Sequence, residues 1–306
     1  MPTDPNARSD SDTLELLPPH WFFPGLSMPT LVVRVDIAGA SHQGHKRKNN
    51  EDHYLAVRFQ RSLETLTTNV KDGDLNTTFE ETGYGMVVAD GMGGMAGGEV
   101  ASRMALCKLI ELVVNTPDWF MRLSEPEDVV KLTQRITLRF HQIDEAIKAR
   151  TKVDPSLLGM GTTLTLSVSL GSHLLVGHIG DSRAYLIRED KMHQLTSDHT
   201  LAQALIDAGI IRPDDPTTRT TRHVLTTALG AITKGTEPQV QRVDIKAGDQ
   251  VLLCTDGLTE MVPDDKIAAI LTSTGSSDSA CQELINAALD GGGRDNITAV
   301  VARYGE

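Results

Sequence analysis

Thr162–Gly180 reads TTLTLSVSLGSHLLVGHIG. Two runs alternate apolar with polar or small residues, and Gly171-Ser172 stands between them. A period of two is the pattern of a half-buried strand, and Gly-Ser is a two-residue turn signal. The stretch therefore predicts a β-hairpin. A connection that short joins only antiparallel strands, because a parallel pair needs a crossover of about a dozen residues or more.

Strand-like runs continue on both sides. LVVRVDIAGAS from Leu31, DHYLAVRF from Asp52 and GYGMVVAD from Gly83 precede the hairpin; RAYLIRED and KMHQL follow it as a continuation of the same meander. DQVLLCTDG and the closing ITAVVARY are further strands. Arg61–Thr82 is polar, contains Asp72-Gly73-Asp74, and reads as a long hairpin loop. Helical periodicity marks Glu99–Val114, with Val100, Met104 and Cys107 on one face, and Glu127–Arg150, with a stripe of Ile136, Phe140, Ile143 and Ile147. Ser197 or Asp198 is expected to cap a short helix through Ala208. Arg212–Arg222 is a Pro/Thr/Asp-rich surface loop, and two short helices cover about 264–273 and 278–289. Helices thus come in successive pairs rather than one per strand, which implies a layered α+β sandwich and excludes a doubly wound parallel sheet.

The 306 residues, 40% of them apolar, suffice for one large domain or two small ones. A net charge of -12, from 41 acidic and 29 basic residues, argues against nucleic acid or an anionic membrane surface as partner. No apolar run approaches the ~18 residues needed to span a bilayer. Residues 1–30 read as an N-terminal extension, disordered where Asp, Ser and Pro dominate. It contains LLPPHWFFPGL, either a proline-braced segment packing Trp21, Phe22 and Phe23 on the domain or a docking motif. Without a basic start and an apolar core, the N-terminus does not read as a signal peptide, and a soluble cytoplasmic protein is expected. Cys107, Cys254 and Cys281 are expected to be buried free thiols. None has an arginine six residues later, where Val113, Glu260 and Ala287 stand, so cysteine-based phosphatase chemistry is excluded.

Carboxylates at strand ends carry the chemistry. VVADGMGGMAGGEV (Val87–Val100) delivers Asp90 to the end of an apolar run, with Gly91 next; LLCTDG repeats the pattern at Asp256-Gly257. Asp181 in HIGDSR, Asp295 in GGGRDN, and Glu51 and Asp52 in NNEDHY also stand at strand boundaries. Taken singly, each reads as a turn or cap residue. Jointly, they converge if the strands belong to two packed sheets, and clustered carboxylates stay ionised only around a cation. Mg²⁺ or Mn²⁺ suits all-oxygen ligands, whereas no Cys/His pair has zinc-ligand spacing. Two such ions about 3.5–4 Å apart lower the pKa of a shared water and clamp the oxygens of an in-line displacement, which makes a phosphate ester the natural substrate. Arg47, close before Asp52, supplies a guanidinium for the phosphoryl group or is a solvated member of the short basic run His45–Lys48.

RKNNED, VVADGMGG, GMGTT, VGHIGDSRAYL, LTSDHT, LLCTDGL and GGGRDNIT, in this order, resemble the motifs of the metal-dependent protein phosphatases, the type 2C (PPM) family, and most of all its bacterial serine/threonine branch. The resemblance covers about Val35–Tyr304. It implies a four-layer α-β-β-α sandwich of two antiparallel sheets flanked by helix pairs, within a phosphatase domain over 31–306. It also implies a centre of two Mn²⁺ or Mg²⁺ ions, whose shared water or hydroxide attacks phosphoserine or phosphothreonine directly. Asp90 would bridge the ions, Gly91 would lend its carbonyl, Asp256 and Asp295 would complete one shell, and Glu51 and Asp52 would serve the other. Asp181 matches the residue that helps hold a weaker third ion, Arg47 the phosphoryl ligand, and residues 198–222 a flap beside the site. The implied partners are phosphorylated proteins, in opposition to a serine/threonine kinase, and the implied state is a monomer.

Two positions depart from the family pattern. Met92 stands where animal members carry a histidine proposed as general acid, which leaves His53, His178, His199, His223 or an ion's water for that task. Thr227 stands where bacterial members often have an arginine. Two other readings compete. Gly91, Gly93 and Ala96 fit the dinucleotide fingerprint G-x-G-x-x-A, although Asp90 would repel a pyrophosphate and Glu111, about 20 residues on, lies within a helix. A catalytically silent phosphoprotein-binding relative would lack the metal-site carboxylates, and here all are present.

Overall fold

The hairpin forms as its sequence requires. β5 (Leu164–Leu170) and β6 (His173–Ile179) pair antiparallel with Leu170 opposite His173, and Gly171 takes φ +56° in the turn. The computed structural model describes residues 34–71, 75, 78–93, 97–116, 126–231 and 237–305. The N-terminal extension with Trp21, Phe22 and Phe23, the Asp72–Asp74 turn and Ala96 of the fingerprint lie outside them.

β5 and β6 sit in a sheet of order β2-β3-β5-β6-β9, with the two-residue β4 (Gly161–Thr162) on the end of β3. Its other members are β2 (Asp52–Glu64), β3 (Thr78–Met92) and β9 (Gln239–Asp244). A second sheet runs β1-β11-β10-β7-β8, built from β1 (Val35–His42), β7 (Arg183–Arg188), β8 (Lys191–Gln194), β10 (Gln250–Cys254) and β11 (Ile297–Tyr304). Every strand pairing within the two sheets is antiparallel.

Three apolar clusters define four layers. Met86 and Val88 of β3 meet Val251 and Leu253 of β10 and Val300 and Ala302 of β11 between the sheets. The alternate residues Val87 and Ala89 face α1 (Gly97–Val114) and α2 (Pro126–Val153). Leu252 and Cys254 face α6 (Asp264–Ser273) and α7 (Ser277–Asp290), together with the one-turn α5 (Asp256–Thr259). The central strands are therefore apolar on both faces, which is why VVAD and VLLC read as continuous runs although they are antiparallel. On α2 the Ile136, Phe140, Ile143 and Ile147 stripe is buried as expected, each side chain contributing roughly 1.5–3 kcal/mol.

Several expectations are corrected. β7 and β8 do not continue the meander: the chain crosses at Gly180-Asp181-Ser182, and both strands join the other sheet. Alternation identifies a strand but not its sheet. β9, QVQRVD, adds a strand with no clear sequence signal, since its residues are mostly polar. The Arg61–Thr82 loop is shorter, because the β2–β3 ladder runs out to Glu64 opposite Thr78. β5 covers β3 only over Gly83–Val88, so the outer hairpin arm has two solvated faces and a loop-like composition. On α1 the buried face is Ala101, Ser102, Ala105, Leu106 and Leu109; Val100 and Met104 flank it, and Cys107 is exposed. Small residues let this helix lie close to the sheet, and size outranks hydrophobicity there.

Candidate active site

Asp52 and Asp90 face each other as a cross-strand pair at the end of the β2–β3 ladder. The backbone of Asp90 is clamped on both sides: its N–H donates to Thr163 Oγ1 at 2.9 Å, and its carbonyl accepts from Thr163 N at 2.9 Å and Thr162 Oγ1 at 2.8 Å. β3 does not end there, since Gly91 and Met92 pair with Thr162 and Gly161. Asp256 arrives by another route, leaving β10 through Thr255 to open α5. Asp181 occupies the crossing between β6 and β7, and Asp295 stands two residues before β11.

These groups share one electrostatic environment. Asp52 is 5% exposed; its Oδ2 accepts from Thr255 Oγ1 at 2.8 Å and Thr298 Oγ1 at 2.7 Å, while its Oδ1 is buried without a hydrogen-bond partner. Burial, against the pull of those two hydroxyls and with repulsion from Asp256 and Asp295, pushes Asp52 up to about 7. Asp256 is likewise pushed up to about 7, by burial and then by Asp295 and Glu260. Burial first, and then Asp52, Asp256, Asp181 and Asp295, hold Asp90 well above the usual carboxylate range. Asp181 is raised by burial, Asp256 and Asp198. Glu51 is raised by burial, with Arg47 opposing. Arg47 at the edge does not offset the charge of these carboxylates, and the buried unpartnered oxygen of Asp52 marks where a cation would be welcome.

Arg47 stands on the rim and donates to Asp295 Oδ2, a bond that raises its own proton affinity. Its loop is pinned by Asn296, which accepts from Glu51 N at 2.8 Å and donates to Gln43 O at 2.9 Å and Asn49 O at 2.8 Å. Two glycines allow the close approach. A Cβ on Gly91 would lie 2.2 Å from Gly98 O, and one on Gly257 1.9 Å from Asn296 O.

The predicted residues Arg47, Glu51, Asp52, Asp90, Gly91, Asp181, Asp256 and Asp295 therefore meet at one edge of the two sheets. Sequence reading missed Thr255 and Thr298, which hold the Asp52 carboxylate, Thr163, which holds the Asp90 backbone, and Asn296, which holds the loop. Asn296 was visible in GGGRDN, but the hydroxyls acquire meaning only once strand register is known. Three of the four candidate histidines are committed elsewhere. His178 is buried between Thr165 Oγ1 and Ser197 O and pushed down to about 3 by burial and His199. His53 bonds Ser102 Oγ and His199 accepts from Gly180 N, and burial lowers both. His223 instead directly follows the flap, with Nδ1 2.8 Å from Glu260 Oε1.

The flap is more ordered than a loop. Thr200, rather than Ser197 or Asp198, caps α3 (Leu201–Asp207), because Asp198 is held by Arg183. Arg212–Arg222 contains α4 (Pro216–Thr221), capped by Asp215. The dinucleotide reading fails: Gly91 lies inside a strand, and no parallel strand pair exists in the two sheets to frame a phosphate turn. Among the described residues, no helix is long and apolar enough to cross a membrane.

Comparisons agree with this geometry. The family model described as Protein phosphatase 2C matches residues 71–290. The serine/threonine protein phosphatase PstP of Mycobacterium tuberculosis is 35% identical over 274 residues, which are 89% of this chain but 45% of that protein, so the chain spans about half of that relative's length. Protein phosphatase PhpP of Streptococcus pneumoniae is 31% identical, with 89% and 98% of the two chains covered. The catalytic domain of PstP, solved in complex with two manganese ions, superposes with a TM-score of 0.68 at 33% identity, covering 89% of this chain and 99% of that one.

Proposed function

The chain belongs to the protein phosphatase 2C family, and from that premise we propose that it is a metal-dependent protein phosphatase acting on phosphoserine and phosphothreonine. The observation that carries the reading is Asp52 Oδ1, buried and unpartnered beneath a group of carboxylates that burial and mutual repulsion hold in raised protonation. The donors fit Mn²⁺ or Mg²⁺, since every converging group offers a hard oxygen. Asp90, Asp256, Asp295, Asp52, Glu51 and the Gly91 carbonyl would hold two ions, and Asp181 would help to hold a weaker third. When bound, such a pair supplies a nucleophile at neutral pH and charge neutralisation in the transition state.

The chain's own residues do the positioning. Thr255 and Thr298 fix the Asp52 carboxylate, and Thr162 and Thr163 fix the Asp90 backbone, so the oxygens are aimed before substrate arrives. Arg47, at the mouth, offers two N–H groups to the phosphoryl oxygens and holds phosphorus in line. Water attacks directly, without a phosphoenzyme. Cys254 and Cys281 are unsuited to attack, because burial pushes both thiols up to about 12. A cytoplasmic bacterial signalling role, opposition to a serine/threonine kinase and a monomeric state complete the reading. The free Cys254 and Cys281 suit a reducing compartment.

The test is p-nitrophenyl phosphate hydrolysis with Mn²⁺, with EDTA, and by Asp256→Asn. Turnover with Mn²⁺ alone is expected, and activity that survives EDTA or the substitution overturns the reading.

A further inference from the structure

A serine or threonine alkoxide is a poor leaving group, and its departure is assisted by a proton donor in reach of the ester oxygen. Met92 carries no transferable proton, and His53, His178 and His199 are bound into the scaffold. His223 differs in its exposure and in its charged partners. It stands at the neck of the flap, where Thr200 bridges Leu225 and Thr226 N donates to His199 O at 2.9 Å, so its backbone is anchored although its side chain is half exposed. One nitrogen of His223 and one oxygen each of Asp256 and Glu260 lie within 4.8 Å of one another. A cleft of 60 Å³ opens there, lined by Asp181, Asp256, Thr259, Glu260 and Arg222 among others.

The hydrogen bonds fix the ring's chemistry. Arg222 Nε donates to His223 Nε2 at 3.2 Å, so Nε2 accepts and Nδ1 carries the hydrogen given to Glu260. A carboxylate behind one imidazole nitrogen orients the ring and stabilises its cation, while the other nitrogen faces the reacting group. A metal ion among the same three residues fits less well, because the Arg222 guanidinium, 3.8 Å from Glu260, already occupies the cationic position.

On the phosphatase reading above, we propose that His223 is the proton donor to the departing serine or threonine oxygen, with Glu260 as its positioning residue. The phosphate dianion is a stronger partner for Arg222 than a neutral ring nitrogen, so substrate entry uncovers Nε2 for protonation. The ester P–O bond then breaks with its electron pair on the alcohol oxygen, which takes the proton from Nε2. The attacking water supplies the fourth oxygen of inorganic phosphate, and its released proton, through solvent, restores the imidazolium. The charged groups beside the ring are Glu260, Arg222 and Asp256.

Leaving-group dependence tests this. With Mn²⁺ saturating, His223→Ala is assayed on a phosphoserine peptide, whose leaving group needs a proton, and on p-nitrophenyl phosphate, whose leaving group does not. The expected result is a kcat loss of about 10²-fold on the peptide, little change on p-nitrophenyl phosphate and an unmoved Mn²⁺ half-saturation. Glu260→Gln should lower kcat on the peptide while sparing p-nitrophenyl phosphate, and Glu260→Asp should restore part of the loss. Equal losses on both substrates, no loss on the peptide, or a raised Mn²⁺ half-saturation overturns the proposal. A wild-type protein inactive on both substrates instead overturns the phosphatase reading beneath it.

Discussion

VVADG and LLCTDG share one written pattern and make different structures. In the first, the backbone stays extended through Gly91 and Met92 and pairs with β4. In the second, the strand stops at Cys254, and Asp256 opens a helix. The common feature lies beside each aspartate. Gly91 admits the carbonyl of Gly98, and Gly257 admits that of Asn296, so each Asp-Gly is a place where another backbone presses in. An Asp-Gly therefore reports the delivery of a carboxylate past a crowded crossing, not a particular turn.

If the two aspartates reach one centre, removing either charge should have the same consequence. Asp90→Asn and Asp256→Asn should each lower Mn²⁺-dependent turnover about 10³-fold or more. Each should also raise the stability of the metal-free protein, because a repelling charge is gone. A large loss in one and not the other breaks the equivalence. Titration of metal-free protein comes next. Asp52 and Asp256 are raised from the ordinary ~3.9 to about 7, so their stabilising contribution is complete below about pH 4 and lost as pH rises through 7. Urea unfolding in EDTA should show a loss on the order of 3 kcal/mol between pH 5 and 8 relative to the Mn²⁺-loaded protein. A gap between the two forms that stays constant with pH contradicts the shared charge.

The glycines sharpen the comparison further. Gly91→Ala and Gly257→Ala each drive a Cβ into a backbone carbonyl and should cost about 1–3 kcal/mol in denaturant unfolding. Gly275→Ala, with nothing within 4 Å, is the neutral control. The smallest effect belongs to the hydroxyls. Thr255→Val removes one of the two bonds to Asp52 Oδ2 and should cost about 1 kcal/mol, and it should raise the Mn²⁺ half-saturation roughly tenfold. Thr163→Val, which acts on the Asp90 backbone, should match it in stability cost.

What could be read in advance follows from where the information resides. The Gly171-Ser172 turn, the α2 stripe and the strand-end carboxylates are local patterns, and each was legible. Sheet membership was not, because β7 and β8 alternate as they would in either sheet. The true extent of β2 and β3 was hidden, since an arm with two wet faces has a loop's composition. The buried face of α1 was misjudged because Ala101 and Ala105 carry little hydrophobic weight but permit the closest packing. At the site, the carboxylates were visible as a type of residue. The threonines that aim them were not, because Thr298 acquires its role only from the pairing of β11 with β1 and β10.

The neck of the flap has a consequence of its own. Leu201 N meets Val224 O at 2.7 Å, so about twenty-five residues leave and rejoin the scaffold at a single point. An excursion tied off in this way can lengthen, shorten or be exchanged in descent without shifting a strand. The rim of the site can then be reshaped while the carboxylates at Asp90 and Asp256 keep their places.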